Sequence, residues 1–415
     1  ASIHEKTGQR SLSIEKLREA IAIAESTLKP DSAITLAIME DLADTLLSDR
    51  QDEEALYYAE KCLEGCLRKY GPDHRETNSI RGTLANCLAS SNRAKEAIPM
   101  RHEILDSLNR LLGNRHPITI VAINDLGASY YYDENYAEAS RYLSMAVEAN
   151  EIVNGAMHRE TLNSRSNLAI VMRLAGDLEG ALQQQLELLE MRRELMGPDH
   201  PTSIKSLYSV GFVYEDMGRD KEALDYFQSA FDKAKPVLGE DHPDVIDYLY
   251  KLALAHMRLE QDQEAQASLK IVVSRNSRLN KEDDTQAILA IYHLSTLCLK
   301  EGRLEEGIDL GRKAHDLNLL KAELSTKWSL RIARNLCNGM SQTARYSEAA
   351  TICRECLKLS EGEHGVGDPE TIVDLRRLAI LYEEWDKADS GSDIDANHAE
   401  TAAEYRQQLA QVENP

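Results

Sequence analysis

The first side chains to consider for chemistry are five histidines that follow one another at a constant interval. They are His74, His116, His158, His200 and His242. Imidazoles ligate metals and transfer protons near neutral pH. A single metal needs its ligands together, whereas equivalent positions of neighbouring packed helices lie on the order of 10 Å apart. We therefore predict a structural role, in which each histidine fixes a turn between repeated segments.

Two cysteine pairs, Cys62/Cys66 and Cys353/Cys356, have the spacing of neighbours on a helix and could ligate a metal. A structural zinc site needs four ligands, and no further Cys/His pair completes either set. We interpret these cysteines as small apolar residues on inner helix faces. The seven cysteines show no disulfide framework, which predicts a reducing, cytoplasmic compartment. The sequence contains neither GxxxxGK[ST] nor GxGxxG, and we predict no catalytic residue, metal or cofactor.

These side chains belong to a segment that repeats every 42 residues along most of the chain. A leucine, replaced by Val210 in one repeat, marks the register: Leu42, Leu84, Leu126, Leu168, Leu252, Leu294, Leu336 and Leu378. Within residues 200–239 the apolar positions form two helical stretches, separated by a turn at Gly218. A small residue follows each leucine, and small residues let antiparallel helices approach closely. The pattern predicts an all-α chain of about nine helix pairs.

The repeat resembles a known family. Leu126, Gly127, Tyr130 and Ala139 fit the L-G-x-x-Y…A pattern of tetratricopeptide repeats (TPRs), and residues 239–243 read GEDHP. Together with the long period, these features resemble the kinesin-light-chain type of TPR protein. The resemblance implies a right-handed superhelical solenoid of antiparallel helix pairs. The same repeat type also occurs behind the nucleotide-binding domains of STAND signalling proteins.

The predicted organisation has two parts. Residues 1–30 form an N-terminal tail and a capping helix, which we place at residues 11–28. Residues 31–415 form the TPR solenoid with 42-residue repeats. The last repeat is irregular because an acidic insertion at 386–397 follows a first helix that we expect to end near Trp385.

The overall charge limits the choice of partner. The chain carries a net charge of −22 at pH 7. A nucleic-acid-binding protein needs a basic stripe that neutralises phosphates, and an anionic membrane surface also attracts basic rather than acidic proteins. We therefore expect neither nucleic acid nor membrane as a partner, and predict a protein or peptide ligand.

A binding groove follows from the resemblance, since the first helix of each TPR unit lines the concave face. The family's groove register, carried over to this sequence, predicts a site formed by Asn124, Tyr131, Asn167, Lys205, Tyr208, Tyr250, Tyr292, Arg331, Arg334, Asn335, Asn338, Arg376 and Arg377. Tyr208, Tyr250 and Tyr292 occupy one position in three successive repeats and could offer flat apolar area with a hydroxyl group. The alternative is that they pack between neighbouring first helices.

The C-terminal part of this predicted groove is basic, against the trend of the chain. Its cations are Arg331, Arg334, Arg376 and Arg377. Guanidinium groups bind carboxylates through paired hydrogen bonds, so we predict an acidic peptide segment as the ligand there. The alternative is pairing within the chain, with Glu383 and Glu384.

Three functions remain open from the sequence. The chain could be a non-catalytic protein-interaction scaffold that binds an extended peptide or a helix in its concave groove. It could instead be the sensor array of a STAND-type signalling NTPase. The third alternative is an enzyme with a small-molecule pocket in the superhelix and acid–base groups on opposite walls.

Overall fold

The computed structural model describes residues 2–91, 93–281, 283–321, 324–389 and 397–413, with side chains from residue 10 onwards except that of Ala94. Over these residues the chain forms 19 α-helices and no β-strand. The all-α prediction is confirmed.

The chain divides into two compact units, residues 1–217 and 218–415. Unit 1 contains α1 (Ser2–Thr27), α2 (Ala33–Ser48), α3 (Asp52–Tyr70), α4 (Arg75–Ser90), α5 (Ala94–Leu112), α6 (Pro117–Tyr132), α7 (Tyr136–Asn154), α8 (Arg159–Leu174), α9 (Leu178–Met196) and α10 (Pro201–Asp216). Unit 2 contains α11 (Asp220–Leu238), α12 (Pro243–Arg258), α13 (Asp262–Arg278), α14 (Thr285–Lys300), α15 (Leu304–Lys321), α16 (Thr326–Gln342), α17 (Tyr346–His364), α18 (Pro369–Asp389) and α19 (His398–Glu413). The even-numbered helices are the first helices of the repeats, and the odd-numbered helices from α3 onwards are the second.

Four of the five periodic histidines cap first helices, in agreement with the predicted role in the turns between repeats. In His116, His158, His200 and His242 the ring Nδ1 accepts a hydrogen bond from the backbone N–H two residues further on, at 3.2–3.3 Å. This bond satisfies a backbone donor that the first turn of a helix leaves without a partner. His74 lacks the bond, and its ring stacks on Tyr70 at a centroid distance of 4.5 Å.

A second recurrent bond fixes the same turns. The hydroxyl groups of Thr77, Thr161, Ser203 and Thr371 each donate to the carbonyl of the glycine six residues earlier, at 2.8 Å. That glycine ends the preceding second helix with a positive φ, for example 94° at Gly197, a conformation that side chains with a Cβ rarely adopt. The linkers before α8 and α10 have both this bond and the histidine cap.

Small residues allow the two helices of a repeat to pack closely. Leu126 of α6 and Ala139 of α7 are fully buried. A Cβ added to Gly127 would lie 2.8 Å from the side chain of Leu143, so any larger residue there would require Leu143 to shift. The repeated leucine and small residues thus form the interior of each helix pair.

Two expectations about helix ends need correction. α1 begins at Ser2, so the tail is helical before residue 11, and α18 continues past Trp385 to Asp389. Most of the predicted acidic insertion, residues 390–396, lies outside the described residues. Among the described residues, no helix has both the length and the apolar character that crossing a membrane would require.

The interpretation of the cysteines as small apolar residues without a disulfide is wrong for Cys353, because Cys353 of α17 forms a disulfide with Cys337 of α16. The two face each other across one helix pair, a relation that spacing along the chain does not reveal. The other cysteines are buried free thiols: Cys62, Cys66, Cys87, Cys298 and Cys356. The inference of a reducing compartment therefore loses its basis in the cysteine pattern.

Candidate functional site

In unit 1, Asn124 is engaged within the fold. Its Oδ1 accepts a hydrogen bond from the hydroxyl of Ser164 at 3.1 Å, and that hydroxyl accepts one from Asn150 Nδ2 at 3.0 Å. The three side chains connect α6, α7 and α8. The carbonyl oxygen of Asn124 therefore already has a partner in the chain.

The other predicted residues of unit 1 are spread over three first helices. Tyr131 and the exposed Asn167 line one small cavity of about 280 Å³ between α6 and α8. Lys205 is exposed, and its ammonium group pairs with none of the described residues. Tyr208 is buried, with its ring edge-on to Phe212 at 4.7 Å. The structure brings Tyr131 and Asn167 together but does not place Lys205 or Tyr208 in that cavity.

The tyrosines at the shared position are not an exposed row. Tyr208 and Tyr250 are only 8% and 7% exposed, and burial raises the pKa of the Tyr250 phenol above its usual value. Tyr292 is partly buried. For Tyr208 and Tyr250 the prediction of groove exposure is wrong, because a large ring in the close space of a helix array is covered by its neighbours.

In unit 2, the first helices carry an aromatic cluster of Tyr250, Tyr292, His293 and Trp328. The ring of His293 lies 4.9 Å from Tyr292, 6.1 Å from Tyr250 and 6.1 Å from Trp328. Burial, with a smaller effect of Arg331, lowers the pKa of His293 to about 4. Its Nε2 is buried without a hydrogen-bond partner. The cluster thus holds a neutral imidazole at neutral pH.

Arg331 extends this cluster to the surface. Its guanidinium lies over the Trp328 ring, 4.9 Å from the centroid. The side chain is exposed and forms no ion pair with any of the described residues. Its positive charge is therefore available to a ligand, while the ring beneath restricts its orientation.

Arg334 and Asn335 are occupied by contacts between repeats. Arg334 donates to both carboxylate oxygens of Asp374, at 2.8 and 2.7 Å, and it also pairs with Glu370. Asp374 is 1% exposed. Asn335 donates to the hydroxyl of Ser295 at 2.9 Å. The expectation that Arg334 offers a free guanidinium is wrong, because a buried carboxylate of the next repeat binds it.

The remaining predicted residues line a cavity of about 660 Å³, here called the arginine cavity. It is lined by Asn338, Ser341 and Gln342 of α16, Tyr346 of α17, and Val373, Arg376, Arg377, Ile380, Leu381 and Glu384 of α18. Arg376 pairs with Glu413 at 2.6 Å, and Glu383 pairs with Arg406. The alternative predicted from the sequence, in which Arg376 and Arg377 pair with Glu383 and Glu384, is therefore not found.

Arg377 differs from its neighbour in having no partner. It forms no hydrogen bond or ion pair with the described residues, and its Nη1 is buried and unpartnered. Burial lowers the pKa of this guanidinium, which expresses the cost of removing a charge from water. The exposed Asn338 lines the same cavity. Together they offer a cation and an amide to a carboxylate or a peptide backbone.

Two residues of this surface were missed from the sequence, His293 and Trp328. His293 directly follows Tyr292, and Trp328 is one of two tryptophans, in the first turn of α16 after a linker that departs from the Gly-x-Asp-His-Pro pattern. A rare, large aromatic residue at an irregular linker was the available signal.

Comparisons with known proteins agree with the helix pairs described above. A sequence model described as tetratricopeptide repeat matches residues 1–68, 76–152, 159–235 and 202–275, which together exceed half of the chain. Over 88 residues, or 21% of this chain, the sequence is 33% identical to the Clustered mitochondria protein of Arabidopsis thaliana. The chain spans only 6% of the length of that relative.

Two solved structures are similar to this chain at low sequence identity. A STAND protein with a tetratricopeptide repeat sensor, from Pyrococcus horikoshii, matches with a TM-score of 0.57 at 10% identity, covering 90% of this chain and 53% of the other. Repeats of a putative kinesin light chain from Podospora anserina match with a TM-score of 0.46 at 17% identity, covering 50% and 98%. The likeness to the Pyrococcus structure concerns the fold alone.

Proposed function

The chain belongs to the tetratricopeptide repeat family, and on that premise we propose that it is a non-catalytic scaffold whose unit 2 binds an acidic, extended segment of a partner protein. Repeat arrays of this kind are typical protein-interaction scaffolds. One observation carries the proposal. Arg331 and Arg377, on neighbouring first helices of unit 2, are left without a carboxylate partner among the described residues.

The overall charge makes these two unpaired cations informative. The chain has 70 acidic residues against 48 lysines and arginines, so carboxylates for pairing are in excess. Arg334, between them in sequence, pairs with two carboxylates. A half-buried arginine without a partner costs desolvation energy that an incoming carboxylate would offset. Arg377 therefore supports an anionic ligand at the arginine cavity.

The neighbouring side chains support an extended polypeptide rather than a small anion. Trp328 and Tyr292, whose ring centroids are 6.0 Å apart, offer apolar area to side chains that flank the ligand's carboxylates. Asn338 can bond to a ligand's backbone, as an amide has both a donor and an acceptor. A ligand that contacts both the aromatic rings and Asn338 would run along the first helices α14, α16 and α18.

The test is a titration of a fluorescent acidic peptide, with alternating glutamates and leucines, against the full chain and its variants. We expect Arg331→Gln and Arg377→Gln each to weaken binding about tenfold, the value of one charge-assisted contact. The affinity should also fall as salt rises, because part of the contact is solvent-exposed.

The matched control is Arg354→Gln, since Arg354 is an exposed arginine on the second helix α17 of the same unit. It carries the same charge change away from the first helices and should leave the affinity unchanged. Equal weakening by all three variants would show a general charge effect and contradict the proposal. Equal affinity for a lysine-containing peptide of the same length would contradict it as well.

A second candidate function is the sensor array of a STAND-type signalling protein. It draws on the match to the Pyrococcus horikoshii structure, which is described as having a tetratricopeptide repeat sensor. Sequencing the complete gene decides it, because that function requires a nucleotide-binding domain in the same polypeptide. We also retain a cytoplasmic location as a proposal, to be tested by cell fractionation. The Cys337–Cys353 disulfide weighs against it.

A further inference from the structure

Unit 1 contains a cavity that the proposed function does not use. It lies between α4, α5 and α6 and measures about 740 Å³, within the range of roughly 300–1,000 Å³ that small-molecule sites occupy. Its apolar lining is aliphatic: Ile104, Leu108, Leu111, Leu112, Ile118, Val121 and Ala122. An aliphatic lining without Phe, Tyr or Trp suits a flexible hydrocarbon chain.

Gly82 of α4 lines this cavity, and its lack of a side chain adds to the cavity's volume. It stands at the repeat position that Asn124 and Tyr208 occupy in α6 and α10. A Cβ added to Gly82 would meet no atom within 4 Å, so the missing side chain leaves space rather than allowing a close helix contact. Glycine in a helix interior is unfavourable for the helix itself, so this one is not explained by local stability.

The side chains around the opening are unusually exposed for their type. Leu111, Ile118 and Val121 are 57%, 55% and 56% exposed. Single exposed aliphatic residues are common, but several that converge on one cavity are typical of a binding site. Covering them with a ligand would remove apolar surface from water.

Apart from Arg75, the polar side chains of the cavity are engaged within the chain. Asn78 bonds to Ser107 at 2.8 Å, Ser79 to Glu40 at 2.6 Å, Arg101 to Asp125 at 2.9 Å, and His116 caps α6. An extended peptide needs several free donors and acceptors for its backbone. This cavity offers few, which favours a ligand with a hydrocarbon body.

One charged group in the lining has no partner. Arg75, the first residue of α4, is exposed and makes no ion pair or hydrogen bond with the described residues. Arg101 is 9% exposed, and its Nε is buried without a partner. Since Asp125 is paired with Arg101, the uncompensated charge at the cavity is positive. We infer that unit 1 binds a straight-chain aliphatic carboxylate, with the tail along the leucines and the carboxylate at Arg75.

The test is isothermal titration of the full chain with decanoate, below the concentration at which it forms micelles. One site per chain is expected. Gly82→Leu should fill the cavity and weaken binding at least about tenfold, because it occupies the volume of the tail. Arg75→Gln should weaken decanoate about tenfold and leave the binding of decan-1-ol, which has no charge, unchanged.

Two control variants separate the site from general effects. Gly362→Leu also adds a side chain at a helical glycine with open space around it, in α17 of unit 2. Arg159→Gln removes the equivalent first arginine of α8. Both should bind decanoate as the unchanged protein does. Absence of decanoate binding, or equal binding by Gly82→Leu, overturns the inference, and neither outcome bears on the acidic-peptide site of unit 2.

Discussion

The two units use the same helix pairs but leave different groups unsatisfied on their first helices. In unit 1, the polar side chains between α4 and α6 bond to one another, and an aliphatic cavity remains open around Gly82. In unit 2, the first helices carry the aromatic cluster of Tyr250, Tyr292, His293 and Trp328, and beside it Arg331 and Arg377 have no carboxylate partner among the described residues. The repeat therefore determines where side chains stand, while ligand preference depends on which of them lack a partner.

The largest effect is expected where unit 2 buries an ion pair. Arg334→Leu leaves Asp374, which is 1% exposed, without its bidentate partner. Removing one member of a buried pair costs about 3–5 kcal/mol. Urea unfolding measures the change. The comparison in unit 1 is Arg173→Leu, whose partner Asp216 is exposed, and its expected cost is below about 1 kcal/mol. Equal costs would contradict the difference in burial.

The disulfide of unit 2 gives the next largest effect. Cys337 and Cys353 are 16 residues apart, and closing a loop of this length stabilises a fold by about 3 kcal/mol. Replacing both by serine, or adding dithiothreitol, should lower the urea midpoint, and Cys62→Ser in unit 1 should not abolish the response to dithiothreitol. Alkylation under denaturing, non-reducing conditions should count five free thiols. Seven would contradict the disulfide.

Exchange with the neighbouring Cys356 should not disturb that test. Burial raises the pKa of the Cys356 thiol to about 12, so it is protonated at neutral pH and a weak nucleophile. Peptide mapping of the oxidised protein should therefore recover the Cys337–Cys353 pair.

The aromatic cluster of unit 2 should make stability depend on pH. The pKa of His293 is about 4 in the folded chain, against 6.5 for an ordinary histidine, so between these values the unfolded chain binds a proton that the folded chain excludes. The stabilisation from keeping His293 neutral is fully present above about pH 6.5 and falls as the pH drops towards 4, by about 3 kcal/mol. The measurement is the unfolding free energy of the unchanged chain minus that of His293→Gln. This difference should shrink to near zero as the pH falls from about 6.5 to 4.

Arg331→Gln sharpens the same test. The guanidinium of Arg331 contributes to the low pKa of His293, so its removal should raise that pKa. An NMR titration of the imidazole measures the change directly. An unaltered titration would mean that burial alone determines the value.

The smallest effect concerns the caps of the first helices, which are histidine in some linkers and aspartate in others. His200→Ala in unit 1 removes the acceptor for the Thr202 N–H and should cost about 1 kcal/mol. His200→Asp should be tolerated, because Asp284 in unit 2 accepts the equivalent bond from Gln286 at 3.0 Å. Thermal unfolding of both variants checks the order. A larger loss for aspartate than for alanine would contradict the shared cap.

Most of the fold could be predicted because its determinants lie at fixed intervals. Leu126, Gly127 and Ala139 recur in register and are buried together, and the histidine caps recur with them. The end of α18 was misplaced, because residues such as Lys387 are compatible with either a helix or a turn. The disulfide was missed since Cys337 and Cys353 belong to different helices.

The candidate site could be predicted only in part. The groove register predicted Arg331, Arg334 and Arg377 equally as binding residues. The sequence does not indicate which of these guanidinium groups pairs with a carboxylate of the next repeat. Arg334 and Asp374 are 40 residues apart in sequence, and their contact depends on how successive first helices pack. The cavity at Gly82 was missed because its determinant is an absent side chain.

The recurrent bond from a hydroxyl to a glycine carbonyl has an evolutionary consequence. Since Thr77, Thr161, Ser203 and Thr371 make the same bond in their linkers, a duplicated or deleted gene segment of one repeat would recreate a familiar junction at its ends. Recombination between such segments can then change the number of ligand positions while preserving every local geometry. Proteins of different length, and with different targets, can arise from this chain in single events.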